Sequence, residues 1–395
     1  MTVKSIDKSV IDSVVSTLEG NQLFRYDCDR PEESAAARLE KRFAEVLGAK
    51  YCVAMNSCSS ALFVSLLTCG VEPGDKVLIP AFTFIAVPSA VVHAGAVPIL
   101  VEVDENYVID LDAFEDAIAA DTKYLLLSYM RGRVPNLDKV LEICERHGIC
   151  MIEDSAHSLG VTYKGRATGT FGRTGNFSAQ SYKLIDGGEG GLLVTDDQDV
   201  AFKSMLYAGC YERNWDKHFG IEGEDAKRVD GMVNSLPAYN FRMSNLSAAA
   251  LIPQLEQLEA RTERYNRNYY HLEKILAQSA YIRLPEFIDG VKPVCDSIQF
   301  YIKDIPLELI QEAQIRLEEQ HGISMSVFGL SGKNARCFWH WTFIDKQNCP
   351  KTRALLDRTA DMRLRLHLEP ADIEHIGNSI VSVFDQIGHA AADVV

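Results

Sequence analysis

The stretch Ser178-Ala179-Gln180-Ser181-Tyr182-Lys183-Leu184-Ile185-Asp186-Gly187-Gly188-Glu189-Gly190-Gly191 sets a lysine between two kinds of segment. Before it lies the short apolar run Asn176-Phe177-Ser178, and after it a glycine cluster that leads into Gly191-Leu192-Leu193-Val194-Thr195. A lysine between a strand end and a flexible glycine loop can be held with its amine pointing into a cleft. To attack a carbonyl that amine must be partly deprotonated, and burial achieves this by disfavouring the ammonium form. Taken alone, Lys183 reads as a surface lysine on a loop. The segment upstream reverses that reading.

That segment is Ile149-Cys150-Met151-Ile152-Glu153-Asp154-Ser155-Ala156-His157. A short apolar run ending in acidic residues reads as a buried parallel strand whose C-terminal end carries a carboxylate. In open α/β sheets, ligands bind just beyond such ends. A carboxylate there, followed by a buried lysine, is the pair that pyridoxal phosphate needs: the lysine forms a Schiff base, and Asp154 keeps the pyridine nitrogen protonated. The plainer alternative for Asp154 is a helix N-cap.

A cofactor phosphate also needs a site. Val53-Ala54-Met55-Asn56-Ser57-Cys58-Ser59-Ser60-Ala61-Leu62 reads as a strand, a hydroxyl-rich turn and the start of an apolar helix. Free N–H groups and the positive end of the helix dipole suit an anion there, although an ordinary serine cap has the same pattern. Ser178 is a further hydroxyl candidate. Pro80-Ala81-Phe82-Thr83-Phe84 follows the strand Lys76–Ile79 and sets an aromatic at another strand end, for a ring to stack on or for the core to bury.

Together these residues resemble the DegT/StrS family of sugar aminotransferases, within the aspartate aminotransferase-like fold. The small-residue phosphate turn, the Thr83-Phe84 segment, Asp154-Ser155-Ala156-His157, Ser178 five residues before Lys183, and Gly188-Glu189-Gly190-Gly191 occur in the family's order. Tyr239-Asn240-Phe241-Arg242-Met243-Ser244 resembles its Asn-x-Arg segment. The resemblance implies that Lys183 is the Schiff-base lysine, Asp154 the partner of the pyridine nitrogen, and His157 a neighbour of the phenolic oxygen. It implies Phe84 against the ring, with Cys58, Ser59 and Ser178 on the phosphate. Asn240 would arrive from the second subunit of a homodimer with shared sites. The implied reaction moves nitrogen from glutamate or glutamine to a keto- or aldehydo-sugar.

Two departures bear on the substrate. Cys58-Ser59 replaces the family's usual Gly-Thr, and Ser128-Tyr129-Met130-Arg131-Gly132-Arg133 replaces its His-Leu-Tyr-Gly after the strand Tyr124–Leu127. Arg131 and Arg133 suit a substrate carboxylate, since guanidinium grips carboxylate with two prongs; the alternative is a solvated loop. An acidic acceptor follows, and the chain is similar to aminotransferases that aminate 3-deoxy-manno-octulosonate, a lipopolysaccharide sugar acid, once oxidised at carbon 8. A nucleotide-linked keto-hexose is the alternative acceptor. Sugar dehydration on the same cofactor is a third reading, weakened because the relatives that run it through histidine lack the lysine.

The expected fold is α/β: a mostly parallel seven-stranded sheet with helices on both faces, plus a smaller C-terminal α+β domain. The candidate strands are Tyr51–Ala54, Lys76–Ile79, Val97–Val103, Tyr124–Leu127, Cys150–Glu153, Gly175–Ala179 and Gly191–Thr195. Pro31 to Val46 reads as an amphipathic helix. Residues 1–255 form the large cofactor domain, and 256–395 the connector helix and the small domain. One long helix from Ala248 to about Gln278 is expected to join them, and 215–233 to be a mobile loop over the cleft.

Composition agrees with a cytoplasmic enzyme. The 395 residues, 47% of them apolar, supply ample core, and no apolar run approaches the ~20 residues that span a bilayer. The N-terminus lacks a signal-like apolar stretch. Ten cysteines without paired metal-type spacing read as reduced thiols, and no metal site is expected. A net charge of −15 argues against nucleic acid. It leaves an anionic substrate open, because local arginines decide a pocket.

Overall fold

The computed structural model describes residues 6–392. Its centre is a seven-stranded sheet of β1 (Tyr51–Met55), β2 (Lys76–Pro80), β3 (Val97–Val101), β4 (Tyr124–Ser128), β5 (Cys150–Asp154), β6 (Thr174–Ser178) and β7 (Gly191–Thr195), in the spatial order β1-β7-β6-β5-β4-β2-β3. Pairing is parallel from β3 through β6, and β7 runs antiparallel to both β6 and β1. Alternate side chains on these strands enter different cores. Leu78, Leu125 and Leu127 join one cluster with Phe43 and Leu39, and Val77, Ile79 and Leu126 join another with Leu62 and Leu66. A period of two with both faces buried is why each strand reads as an unbroken apolar run.

The expected α/β class stands, with small shifts in the elements. Val97–Val103 ends at Val101, because Val103 makes only an isolated bridge to Ile109; Gly175–Ala179 lies one residue earlier, as Thr174–Ser178. The predicted helix from Pro31 is a short 3₁₀ turn, Pro31–Glu33, then an α-helix over Ala35–Leu47 capped by Ser34. The connector is two helices, Asn245–Glu256 and Leu258–Leu276, broken at Gln257. Nor is 215–233 a loop over the cleft. It contains helices Asp216–Phe219 and Gly223–Met232, and Trp215, Ile221 and Val229 pack against Tyr26, Phe202 and Met205.

Beyond the connector, Ile282–Arg283, Ser297–Ile302, Thr359–Arg363 and Ser326–Val327 form a four-stranded antiparallel sheet in that order. The helices Leu307–His321 and Pro370–Ala392 contact each other beside it. Among the described residues no helix is long and apolar enough to cross a membrane, and no cluster of three or more His, Cys, Asp or Glu side chains could hold a metal.

Candidate active site

The C-terminal ends of β5 and β6, the turn after β1 and the loop before β7 meet around a cavity of about 390 Å³. Asp154, His157, Ser178 and Lys183 line it together with Cys58, Ser59 and Phe84. The architecture explains the meeting. Because β1 pairs with β7, Met55 lies opposite Gly191, so the turn leaving one strand abuts the loop entering the other. Gly191 permits the approach: a Cβ there would sit 2.2 Å from the Ser57 carbonyl carbon.

Ser57 is the N-cap of the helix Cys58–Thr68, its hydroxyl accepting from the Ser60 N–H at 3.1 Å. Cys58 and Ser59 therefore occupy the first two helical positions, whose N–H groups have no intrahelical acceptor. Burial pushes the Cys58 thiol well up, so it stays neutral and puts no negative charge where an anion would sit.

Lys183 Nζ lies 3.0 Å from His157 Nε2. Burial, helped by the charge of Arg363, pulls the lysine amine down to about 8. The same burial, with Lys183 and Arg131, holds the imidazole well below its ordinary value and hence neutral. Asp154 Oδ2 accepts from the Ser128 hydroxyl at 2.7 Å and Oδ1 from the Ala156 N–H at 3.1 Å. Burial still pushes its carboxyl up, and among the described residues it has no ion-pair partner. A buried carboxylate held by neutral donors is stabilised by a cation brought against it, such as a protonated ring nitrogen. An anion-ready helix start, a lowered lysine amine and a cation-seeking carboxylate in one cavity fit pyridoxal phosphate.

Phe84 faces the cavity, whereas Phe82, two residues before it, goes to the core. Asn240 is exposed and absent from the lining, on a segment fixed to the sheet by the bond of Asn56 N–H to the Phe241 carbonyl at 2.7 Å. Arg131 and Arg133 do not reach the cavity either. Arg131 has a left-handed backbone, φ 58°, which turns its buried side chain onto Asp361 of the C-terminal sheet. Arg133 donates to the Tyr269 hydroxyl at 3.0 Å and lies 4.0 Å over the Phe287 ring. The arginines that line the cavity are Arg336 and Arg363, which no local motif marked.

A match to the DegT/DnrJ/EryC1/StrS aminotransferase family extends over residues 5–381. The chain belongs to this family. GDP-perosamine synthase of Caulobacter vibrioides is 34% identical over 56% of this chain and 56% of its own length. The L-glutamine:scyllo-inosose aminotransferase of Streptomyces griseus is 34% identical over 66% of this chain and 65% of its own. The matches thus span less than two thirds of these relatives. A GDP-4-keto-6-deoxymannose-3-dehydratase solved with a trapped PLP-glutamate geminal diamine superimposes with a TM-score of 0.81 at 22% identity, covering 96% of this chain and 98% of that one. At that identity the likeness speaks for the fold. Family members and structural neighbours bind pyridoxal phosphate.

Proposed function

We propose that the protein is a pyridoxal phosphate-dependent sugar aminotransferase that takes nitrogen from glutamate. The observation that carries this is the Lys183 amine, lowered by burial and set against a neutral His157 in the cavity that Asp154 also lines. Bound pyridoxal phosphate supplies an electron sink that stabilises negative charge on the donor's α-carbon. Lys183 would hold the cofactor through its carbonyl carbon, and its lowered amine would be the group that moves the proton at the donor's α-carbon. Asp154 keeps the ring nitrogen protonated. The N–H groups of Cys58 and Ser59, with the Ser178 hydroxyl, would hold the phosphate, and Phe84 would be the aromatic offered to the ring.

For the acceptor, the first reading is 3-deoxy-manno-octulosonate oxidised to the aldehyde at carbon 8, an amination in lipopolysaccharide sugar biosynthesis. Its support is the pair of cavity arginines, which suits an acidic sugar better than a neutral one. The second reading is a nucleotide-linked keto-hexose, favoured by the name of the Caulobacter relative. A panel assay with glutamate as donor tests both. Amination of the oxidised octulosonate is expected; turnover of nucleotide-linked 4-keto sugars alone would replace the first reading with the second.

The working unit in this reading is a homodimer with shared sites. Asn240 stands exposed, flanked by Tyr239 and Phe241 stacked 4.8 Å apart. Close to it in sequence, Arg242 lies over the partly exposed Phe24 and Tyr211 rings, an aromatic patch suited to burial by a second copy. Donors converging on a phosphate from several directions hold it better than one helix end does, and a two-fold pair supplies both sites with one repeated contact. Mixing inactive Lys183→Ala protein with an inactive Asn240→Ala variant is expected to restore part of the activity, because one site of the mixed dimer is intact. Absence of recovery after co-refolding, or an active monomer in sedimentation, would remove the shared site.

A further inference from the structure

The wall of the cavity contributed by the C-terminal residues carries more positive charge than its own carboxylates balance. Arg363 ends the strand Thr359–Arg363 and pairs with Asp296, and Arg131 pairs with Asp361 from behind. Arg336 has no ion-pair partner among the described residues, and its Nε is buried without a hydrogen bond. Two guanidinium nitrogens of Arg131, Nε and Nη1, are likewise buried and unbonded. Three guanidinium groups thus face two carboxylates. Burial first, then the charges of Arg131 and Arg363, push the Arg336 guanidinium down, with Asp361 opposing them. Neither Asp154 nor Glu189, the carboxylates that line the cavity, is among the principal charges acting on it.

Arg336 is also held in place. The Ile85 N–H donates to the Ala335 carbonyl at 2.9 Å, Phe82 and Cys337 form a bridge, and the Arg336 N–H donates to Asn334 Oδ1 at 3.0 Å. The segment bearing Arg336 is thereby latched to the one bearing Phe84, and the guanidinium sits 5.8 Å from the Phe84 ring centroid. A preset guanidinium at the edge of the cofactor cavity, with its charge uncompensated, is built for an incoming anion; a planar carboxylate fits its two prongs.

We propose that Arg336 and Arg363 form the subsite for the carboxylate of the acceptor, with Arg131 fixed behind them as a standing positive charge. The proposal rests on the reading of the protein as an aminotransferase with an acidic sugar acceptor. The distal carboxylate would then orient the sugar so that its carbonyl meets the nitrogen, and a neutral sugar of the same length would lack that anchor.

The test uses the cofactor-loaded protein and 3-deoxy-manno-octulosonate not oxidised at carbon 8, with its methyl ester as the uncharged probe, measured by calorimetry. Arg336→Gln and Arg363→Gln are each expected to weaken the acid by about 10- to 100-fold, with Arg336→Lys recovering part of the loss. The ester should bind the unaltered protein as weakly as the acid binds the variants. Bleaching of the visible band by glutamate is the control in Arg336→Gln, where its concentration dependence should shift less than acid binding does. Arg363 also acts on the Lys183 amine, so Arg363→Gln is read through acid and ester binding alone. Acid binding unchanged in both variants, equal weakening of acid and ester, or a loss confined to glutamate would overturn the subsite. Failure of the acidic-acceptor reading looks different: the acid would not bind the unaltered protein at all, and the subsite would fall with it.

Discussion

Replacing Lys183 by alanine is expected to abolish both the visible absorbance of the cofactor-loaded protein and its turnover, while leaving the melting temperature close to that of the parent. The side chain is half-buried at a loop, and its one hydrogen bond among the described residues is to His157. Removing it takes away no packed core, so its contribution to stability is on the order of 0.5 kcal/mol or less. In the proposed reaction its contribution would be the covalent hold on the cofactor and the proton transfer at the donor's α-carbon. Borohydride reduction followed by peptide mapping checks the assignment, because the label should fall on Lys183 and vanish in the variant. Activity retained with the label on another lysine would sink the mechanism.

The second large effect belongs to Asp154→Asn, which keeps shape and removes charge. Turnover should fall by at least ~10²-fold, the scale of losing one preorganised electrostatic partner. The Ser128 hydroxyl and Ala156 N–H that now donate to the carboxylate leave room for the amide oxygen, so the fold should survive. Glu153 is poorly placed to take over. Neighbouring residues on a strand point to opposite faces. Glu153 already accepts from the Tyr129 hydroxyl at 2.6 Å and the Gly169 N–H at 2.8 Å, away from the cavity. A near-normal rate in Asp154→Asn would mean that the ring nitrogen is not held here.

The residues that sequence reasoning brought to the cavity have a common property. Cys58, Ser59, Phe84, Asp154, His157, Ser178 and Lys183 all sit within a few residues of a strand end, where the parallel sheet itself delivers them to one edge. Arg131 and Arg133 follow a strand end too, yet they turn away, for reasons lying far along the chain. Asp361 is 230 residues from Arg131, and Tyr269 is 136 residues from Arg133. Arg336 and Arg363 failed to stand out for the converse reason. Antiparallel pairing in the C-terminal sheet and the bridge of Cys337 to Phe82 bring them to the cavity, and neither leaves a local pattern. Period and turn chemistry located the elements of the large sheet to within a residue or two, whereas no helical period announces the break at Gln257, whose N–H turns to the Gln254 carbonyl at 3.2 Å.

The pairing of β1 with β7 also constrains the order in which the protein can acquire its cofactor. The phosphate turn follows residue 55, but the strand that closes against it ends at 195, and the arginine wall ends at 363. Contacts of such sequence separation form late, after the loops between them have been closed at an entropic cost. A chain emerging from the ribosome therefore has the helix start proposed for the phosphate long before it has Lys183 or the arginine wall proposed for the acceptor. The yellow colour of the bound cofactor becomes a reporter of completed folding, so stalled or truncated chains ending before Gly191 should stay colourless even when their first strands are formed.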